Sequence, residues 1–139
     1  MILSHLSLIE YAKNNIVPYE EKLVGPCSID LRLGSSLRIA KNPLFPIDKN
    51  TDPRHIWSDP IDFEQYILDP FEMVLCHSLE NVIIPDNLCS FLYLTSSTGR
   101  LGIEHLHAGF GDAGFSGQWT LELFNPSKRK IRLVAGEIY

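Results

Sequence analysis

Met73-Val74-Leu75-Cys76, Asn81-Val82-Ile83-Ile84, Ser90-Phe91-Leu92-Tyr93-Leu94, Thr120-Leu121-Glu122-Leu123-Phe124 and Lys130-Ile131-Arg132-Leu133-Val134 are short runs rich in strand formers. Turn residues part them at roughly regular intervals, which predicts a mostly β fold, a sandwich or jelly-roll-like barrel. Toward the N-terminus the texture changes. Five of the nine prolines (Pro43, Pro46, Pro53, Pro60, Pro70) fall between residues 41 and 70. Proline removes a ladder donor, so this segment is expected to be a long surface excursion with short edge strands. Further back, Ser28-Ile29-Asp30-Leu31-Arg32-Leu33 alternates apolar with polar and reads as a half-buried strand, with Leu37 to Ala40 expected as its hairpin partner. The convincing helix is Ser4 to Asn15, with Ser4 as N-cap, Leu6, Ile9 and Ala12 near helical spacing, and Asn14-Asn15 at the exit.

At 139 residues the chain has the length of one compact domain, 1–139, with a real core. Its 45% hydrophobic and 21% charged residues are ordinary for a soluble protein. No apolar run approaches the roughly eighteen residues that cross a bilayer, and the start Met1-Ile2-Leu3-Ser4 lacks a secretory signal's basic and apolar regions, so no membrane role and a cytoplasmic home are expected. The formal charge of -5 argues against a nucleic-acid partner, which calls for a basic surface, but leaves a nucleotide site open. Cys27, Cys76 and Cys89 are expected to be buried reduced thiols.

Three features could carry chemistry. Thr95-Ser96-Ser97-Thr98-Gly99-Arg100-Leu101-Gly102 is a hydroxyl-rich turn followed by an arginine, suited to phosphate oxygens, although a plain turn is commoner. Ala108-Gly109-Phe110-Gly111-Asp112-Ala113-Gly114-Phe115-Ser116-Gly117 reads as a glycine-rich β-hairpin in which backbone could approach a flat ligand, a ring could pack on a sugar and Asp112 could hold a hydroxyl or water. A purely structural hairpin is the usual outcome for such a turn. Strand alternation puts Glu122 on the face opposite Leu121 and Leu123, either solvated or, near a ligand, a general acid/base.

Taken together, these stretches resemble the dCTP deaminase/dUTPase family. Gly25-Pro26-Cys27-Ser28-Ile29-Asp30-Leu31-Arg32-Leu33-Gly34 and Met1-Ile2-Leu3-Ser4 resemble its first motif, Ser96 to Gly102 its phosphate motif, Ala108 to Gly117 its nucleoside-binding hairpin and Thr120-Leu121-Glu122-Leu123 its catalytic strand. The resemblance implies a distorted jelly roll that trimerises to build sites between subunits, and deamination of dCTP without zinc. It implies that Glu122 shuttles protons, Ser96 positions the water, Arg100 supports both across a subunit boundary and Asp112 lies near the sugar and the water. It places Ala108 and Gly109 beside the pyrimidine, Phe110 on the deoxyribose and Ser97 on phosphates bridged by magnesium.

The zinc-free reading has independent support, since zinc nucleobase deaminases need a Pro-Cys-x-x-Cys and no Cys-x-x-Cys occurs. His105 and His107 read as ordinary strand histidines. Gly109-Phe110 resembles the bifunctional members, which carry dUTP on to dUMP and diphosphate. The alternatives are a dUTPase alone and a degenerate nucleotide-binding or regulatory trimer. Three departures from the family stand out. Thr95 replaces an arginine, and Gly111 replaces an isoleucine, which is expected to loosen the hairpin. The sequence closes at Gly136-Glu137-Ile138-Tyr139, about where the family begins its C-terminal lid, so the triphosphate is expected to rest mainly on Ser96, Ser97, Arg100 and magnesium.

Overall fold

Helix α1 (His5–Asn15) follows Ser4, which has the extended backbone of an N-cap but whose side chain makes no capping hydrogen bond. The computed structural model describes residues 2–106 and 109–139. The helix buries Leu8 and Ala12, one turn apart, with Ile9 half-buried, whereas Leu6 stands in solvent; the buried stripe is therefore rotated from the expected one. Its exit is as expected. Asn14 and Asn15 donate their side-chain amides to the carbonyls of Glu10 (2.9 Å) and Tyr11 (2.8 Å), one turn back.

Strands β1 (Ile16–Val17), β2 (Ser36–Ile39), β3 (Ile61–Asp62), β4 (Gln65–Leu68), β5 (Met73–Ile83), β6 (Ser90–Phe91), β7 (Glu104–His105), β8 (Phe110–Gly111), β9 (Ser116–Phe124) and β10 (Ile131–Val134) make three antiparallel sheets among the described residues. The main sheet runs β3-β2-β5-β9-β7 with β1 also on β5, while β10 pairs β4 and β6 pairs β8. The fold is thus mostly β with a short N-terminal helix. In the central pair, Val74 and Cys76 of β5 lie opposite Leu123 and Leu121 of β9, all buried, because strict alternation sends every second side chain inward. Burial pushes the Cys76 thiol up to about 12, so it stays protonated. Cys27 and Cys89 are exposed, against expectation; all three are free.

The excursion from 41 to 70 does carry short edge elements. Helix α2 (Pro53–Ile56) has Asp52 as N-cap, accepting from the Arg54 amide at 2.8 Å with Pro53 in the first turn. Beyond it, β3 forms an edge of the main sheet.

The hairpin expected between residues 28–33 and 37–40 does not form. β2 pairs instead with β5 and β3, and residues 32–34 run between a bulge in β5 and the chain's last turn. The Leu79 amide donates to the Arg32 carbonyl (2.7 Å) and the Gly34 amide to the His77 carbonyl (2.7 Å). On the other side the Leu33 amide donates to Glu137 and its carbonyl accepts from Gly136, both at 2.8 Å. In the bulge, Ser78, Leu79 and Glu80 face the single residue Trp119. The Ser78 hydroxyl accepts from the Trp119 amide (2.8 Å) and donates to the Glu80 carbonyl (2.6 Å), replacing the lost ladder bonds. The fully buried Glu80 carboxylate accepts from the Arg32 amide (2.8 Å) and Nε (2.7 Å). Arg32 also reaches Glu20, whose carboxyl is held below its ordinary range by Lys22 and Arg32.

Removing Glu80 takes the acceptors from the Arg32 amide and Nε and leaves its guanidinium with Glu20 alone. Glu80→Ala is expected to cost about 3–5 kcal/mol in urea unfolding, and a loss below about 1 kcal/mol would mean the pair is dispensable.

Candidate active site

Helix α3 (Ser96–Leu101) occupies the stretch expected to be a turn. Thr95 caps it: its hydroxyl oxygen accepts from the Thr98 amide (3.4 Å) and lies 3.0 Å from the Ser97 hydroxyl. Thr98 alone of the six helical residues is buried, which leaves Ser96, Ser97 and Arg100 exposed. The guanidinium of Arg100 has no hydrogen-bond or ion-pair partner among the described residues. The Thr95 hydroxyl is thus spent on the cap.

The glycine-rich segment is not a hairpin folded on itself. β8 pairs with β6, and its continuation pairs with Ile84, which accepts from Gly114 and donates to Phe115, both at 2.8 Å. Gly109 accepts from the Leu92 amide at 2.7 Å, and a Cβ there would lie 2.6 Å from the Leu92 carbonyl oxygen. The close approach that glycine allows is thus to the chain's own backbone. Gly111 is buried, and a Cβ there would meet Ser90 Oγ at 2.4 Å, Ile84 Cδ1 at 2.5 Å and Trp119 Cζ2 at 2.6 Å. Far from loosening the segment, Gly111 leaves the room that the Trp119 indole fills.

Phe110 is half-exposed and meets Phe91 edge to face, with ring centroids 5.3 Å apart. These rings, Tyr93, His105 and Gly109 line a cleft of about 470 Å³ between β6–β8 and β7. Phe91 and Tyr93 were not singled out by their sequence, although their i, i+2 spacing in an extended run signals two aromatics on one face. His105 lies on β7 opposite Leu123, and its buried Nε2 has no partner among the described residues. Asp112 is exposed beside this segment, its carbonyl accepting from Phe115 at 3.1 Å. Ala108 and His107 lie outside the described residues.

Glu122 sits on β9 as alternation predicts, half-buried and facing away from buried Leu121 and Leu123. Leu75 of β5 lies opposite it, and the Leu106 amide donates to its carbonyl at 3.1 Å. Its carboxylate has no hydrogen-bond or ion-pair partner among the described residues. The structure therefore places Gly109, Phe110 and Asp112 together, Ser96, Ser97 and Arg100 together on α3, and Glu122 apart on the sheet. No side-chain hydrogen bond or ion pair joins the three groups among the described residues.

The Gly111–Trp119 fit is testable. Gly111→Ala is expected to cost roughly 1–3 kcal/mol by overpacking, and combining it with Trp119→Leu should cost less than the sum of the single changes. Strict additivity in thermal or urea unfolding would show that the two positions do not share the space.

A family model described as dCTP deaminase-like matches residues 2–138. The chain is 41% identical over 132 residues to the dCTP deaminase, dUMP-forming, of Streptomyces avermitilis, covering 92% of this chain and 69% of that protein. It is likewise 41% identical over 143 residues to the proteins of that name from Thermobifida fusca and Mycobacterium tuberculosis, covering 98% of this chain and 73% and 75% of theirs. In fold it is similar to the crystal structure of 2'-deoxycytidine 5'-triphosphate deaminase from Agrobacterium tumefaciens, with a TM-score of 0.77 at 21% identity, over 99% of this chain and 45% of that one. Matched along almost its whole length, this chain belongs to the dCTP deaminase-like family.

Proposed function

We propose that this protein converts dCTP, as its magnesium complex, to dUTP and ammonia and then to dUMP and diphosphate. The observation that carries the reading is Glu122: a half-buried carboxylate, unpartnered among the described residues, on β9 of a chain 41% identical to dUMP-forming deaminases. A carboxylate partly withdrawn from water without a partner is costly, so such a group is retained where something outside the chain completes it.

In this reading Glu122 takes a proton from water as its oxygen attacks C4 of the cytosine. It passes that proton to N3 and then relays the remaining hydroxyl proton to the exocyclic amine, which leaves as ammonia while the C4 carbonyl forms. Ser96 orients that water and Arg100 steadies Ser96 and Glu122. Gly109 borders the pyrimidine, Phe110 packs on the deoxyribose, Asp112 holds the sugar hydroxyl and the reacting water, and Ser97 binds phosphate. A second water then attacks the α-phosphorus and diphosphate departs.

The working unit in this proposal is a homotrimer. Arg100 and Glu122 are opposite charges, and neither has a partner within its own chain among the described residues. A neighbouring copy that brings its α3 to this sheet would satisfy both, and closed rotational symmetry would give three equivalent sites. A dUTPase alone would leave Glu122 without a task.

Incubation with dCTP and magnesium is expected to release ammonia and yield dUMP. Glu122→Gln keeps the shape but cannot relay protons, so ammonia release should fall by roughly 10² to 10⁴ while nucleotide still binds. Unchanged turnover in that variant would make Glu122 a bystander.

A further inference from the structure

Three residues beyond Glu122, at the end of β9, lies Asn125, whose side chain is fully buried. Its amide nitrogen is within hydrogen-bonding distance of the carbonyls of Leu68 (3.2 Å), Asp69 (3.0 Å) and Arg129 (2.7 Å). Its oxygen accepts from the amide (3.1 Å) and hydroxyl (2.7 Å) of Ser127, and the Ser127 hydroxyl accepts in turn from the Arg129 amide (3.2 Å). The link between β9 and β10 is thereby closed into a fixed knuckle around one buried amide.

That knuckle reaches α3. Arg129 Nη2 donates to the Leu101 carbonyl at 3.1 Å, one of the acceptors that the end of a helix leaves open. Gly102, which ends the helix with φ 94°, lies against the same groups: a Cβ there would be 3.3 Å from Arg129 Nη2 and 3.6 Å from Ser127 Cβ. Little else secures α3, since Thr98 is its one buried residue and Leu101 is half-exposed. Of the other cations in the knuckle, Lys130 pairs with Asp69 at 2.8 Å.

We propose that Arg129 is a positioning residue for the deamination: braced by Asn125, it fixes α3, and with it Ser96 and Arg100, relative to the strand that carries Glu122. The inference rests on the reading of those three residues given above. In a closed ring each subunit lends α3 to one site and Glu122 to the next, so the brace sets the spacing between the two.

The test compares Arg129→Ala, Arg129→Gln and Arg129→Lys in steady-state kinetics with dCTP and magnesium, in thermal unfolding, and in amide hydrogen exchange of residues 96–102 without ligand. Loss of one hydrogen bond of ordinary net strength predicts a kcat roughly three- to tenfold lower for Arg129→Ala, with KM and the unfolding midpoint nearly unchanged and faster exchange across α3. Arg129→Gln and Arg129→Lys, which can still donate to Leu101, should recover most of kcat. A loss that falls on KM and is rescued by Lys but not Gln would overturn the proposal in favour of simple attraction for phosphate. Unchanged exchange in α3 would also overturn it. If the unaltered protein released no ammonia from dCTP, the proposed activity would fall, whereas hydrogen exchange would still decide whether Arg129 braces the helix.

Discussion

Between the pairs His77–Thr120 and Asn81–Gln118, β5 spends three residues where β9 spends one. Unbroken alternation along β5 carries Ser78 and Glu80 inward with Val74, Cys76 and Val82, where a carboxylate survives only if its lone pairs are taken. Arg32 takes them with its amide and its Nε, and so is drawn, with Leu33 and Gly34, into the gap beside the bulge. The N-terminal motif and the last turn of the chain are then held by one feature of the central strand. Because the bulge absorbs the mismatch locally, pairing is regular on both sides of it, from Met73–Phe124 to Ile83–Ser116. Glu122 consequently faces outward and Leu121 and Leu123 inward.

Strand β9, the partner of β5, organises the candidate site. Its outer side presents Glu122 opposite Leu75, its start carries Trp119 into the space that Gly111 leaves, and its end places Asn125 to build the knuckle that meets α3. Each candidate site segment is thus tied to β9 by packing or hydrogen bonds, yet the candidate side chains do not meet within one chain among the described residues. Rigid supports with unpaired tips are what a site shared between subunits requires.

Much of this was legible in the residues. Most of the short apolar runs became strands, although those beginning at Met73 and Asn81, which read as two, join in the single strand β5 that continues through its bulge. The prolines marked the edge excursion, and alternation alone oriented Glu122. What failed did so where partners are remote or composition misleads. Residues 28–33 alternate like a strand paired to 37–40, but Ile29 bridges back to Val24, while Arg32 and Leu33 lie against Ile138 and Ser78, where the bulge holds them. The serines and threonines of 95–98 suggested a turn, yet the first hydroxyl caps a helix. Gly111 looked like slack because its complement, Trp119, belongs to another strand. Cys27 and Cys89 sit among apolar letters but on turns and edges that stay wet.

In the proposed trimer Glu122 of one copy works with Ser96 and Arg100 of another. The measurement is ammonia release from dCTP after Glu122→Gln and Arg100→Ala proteins, each inactive alone, are unfolded together in equal amounts and refolded. Random closed trimers whose sites span two subunits should hold roughly a quarter of their sites intact, and activity should return to about that fraction of wild type. A mixture as inactive as its components would contradict the shared site.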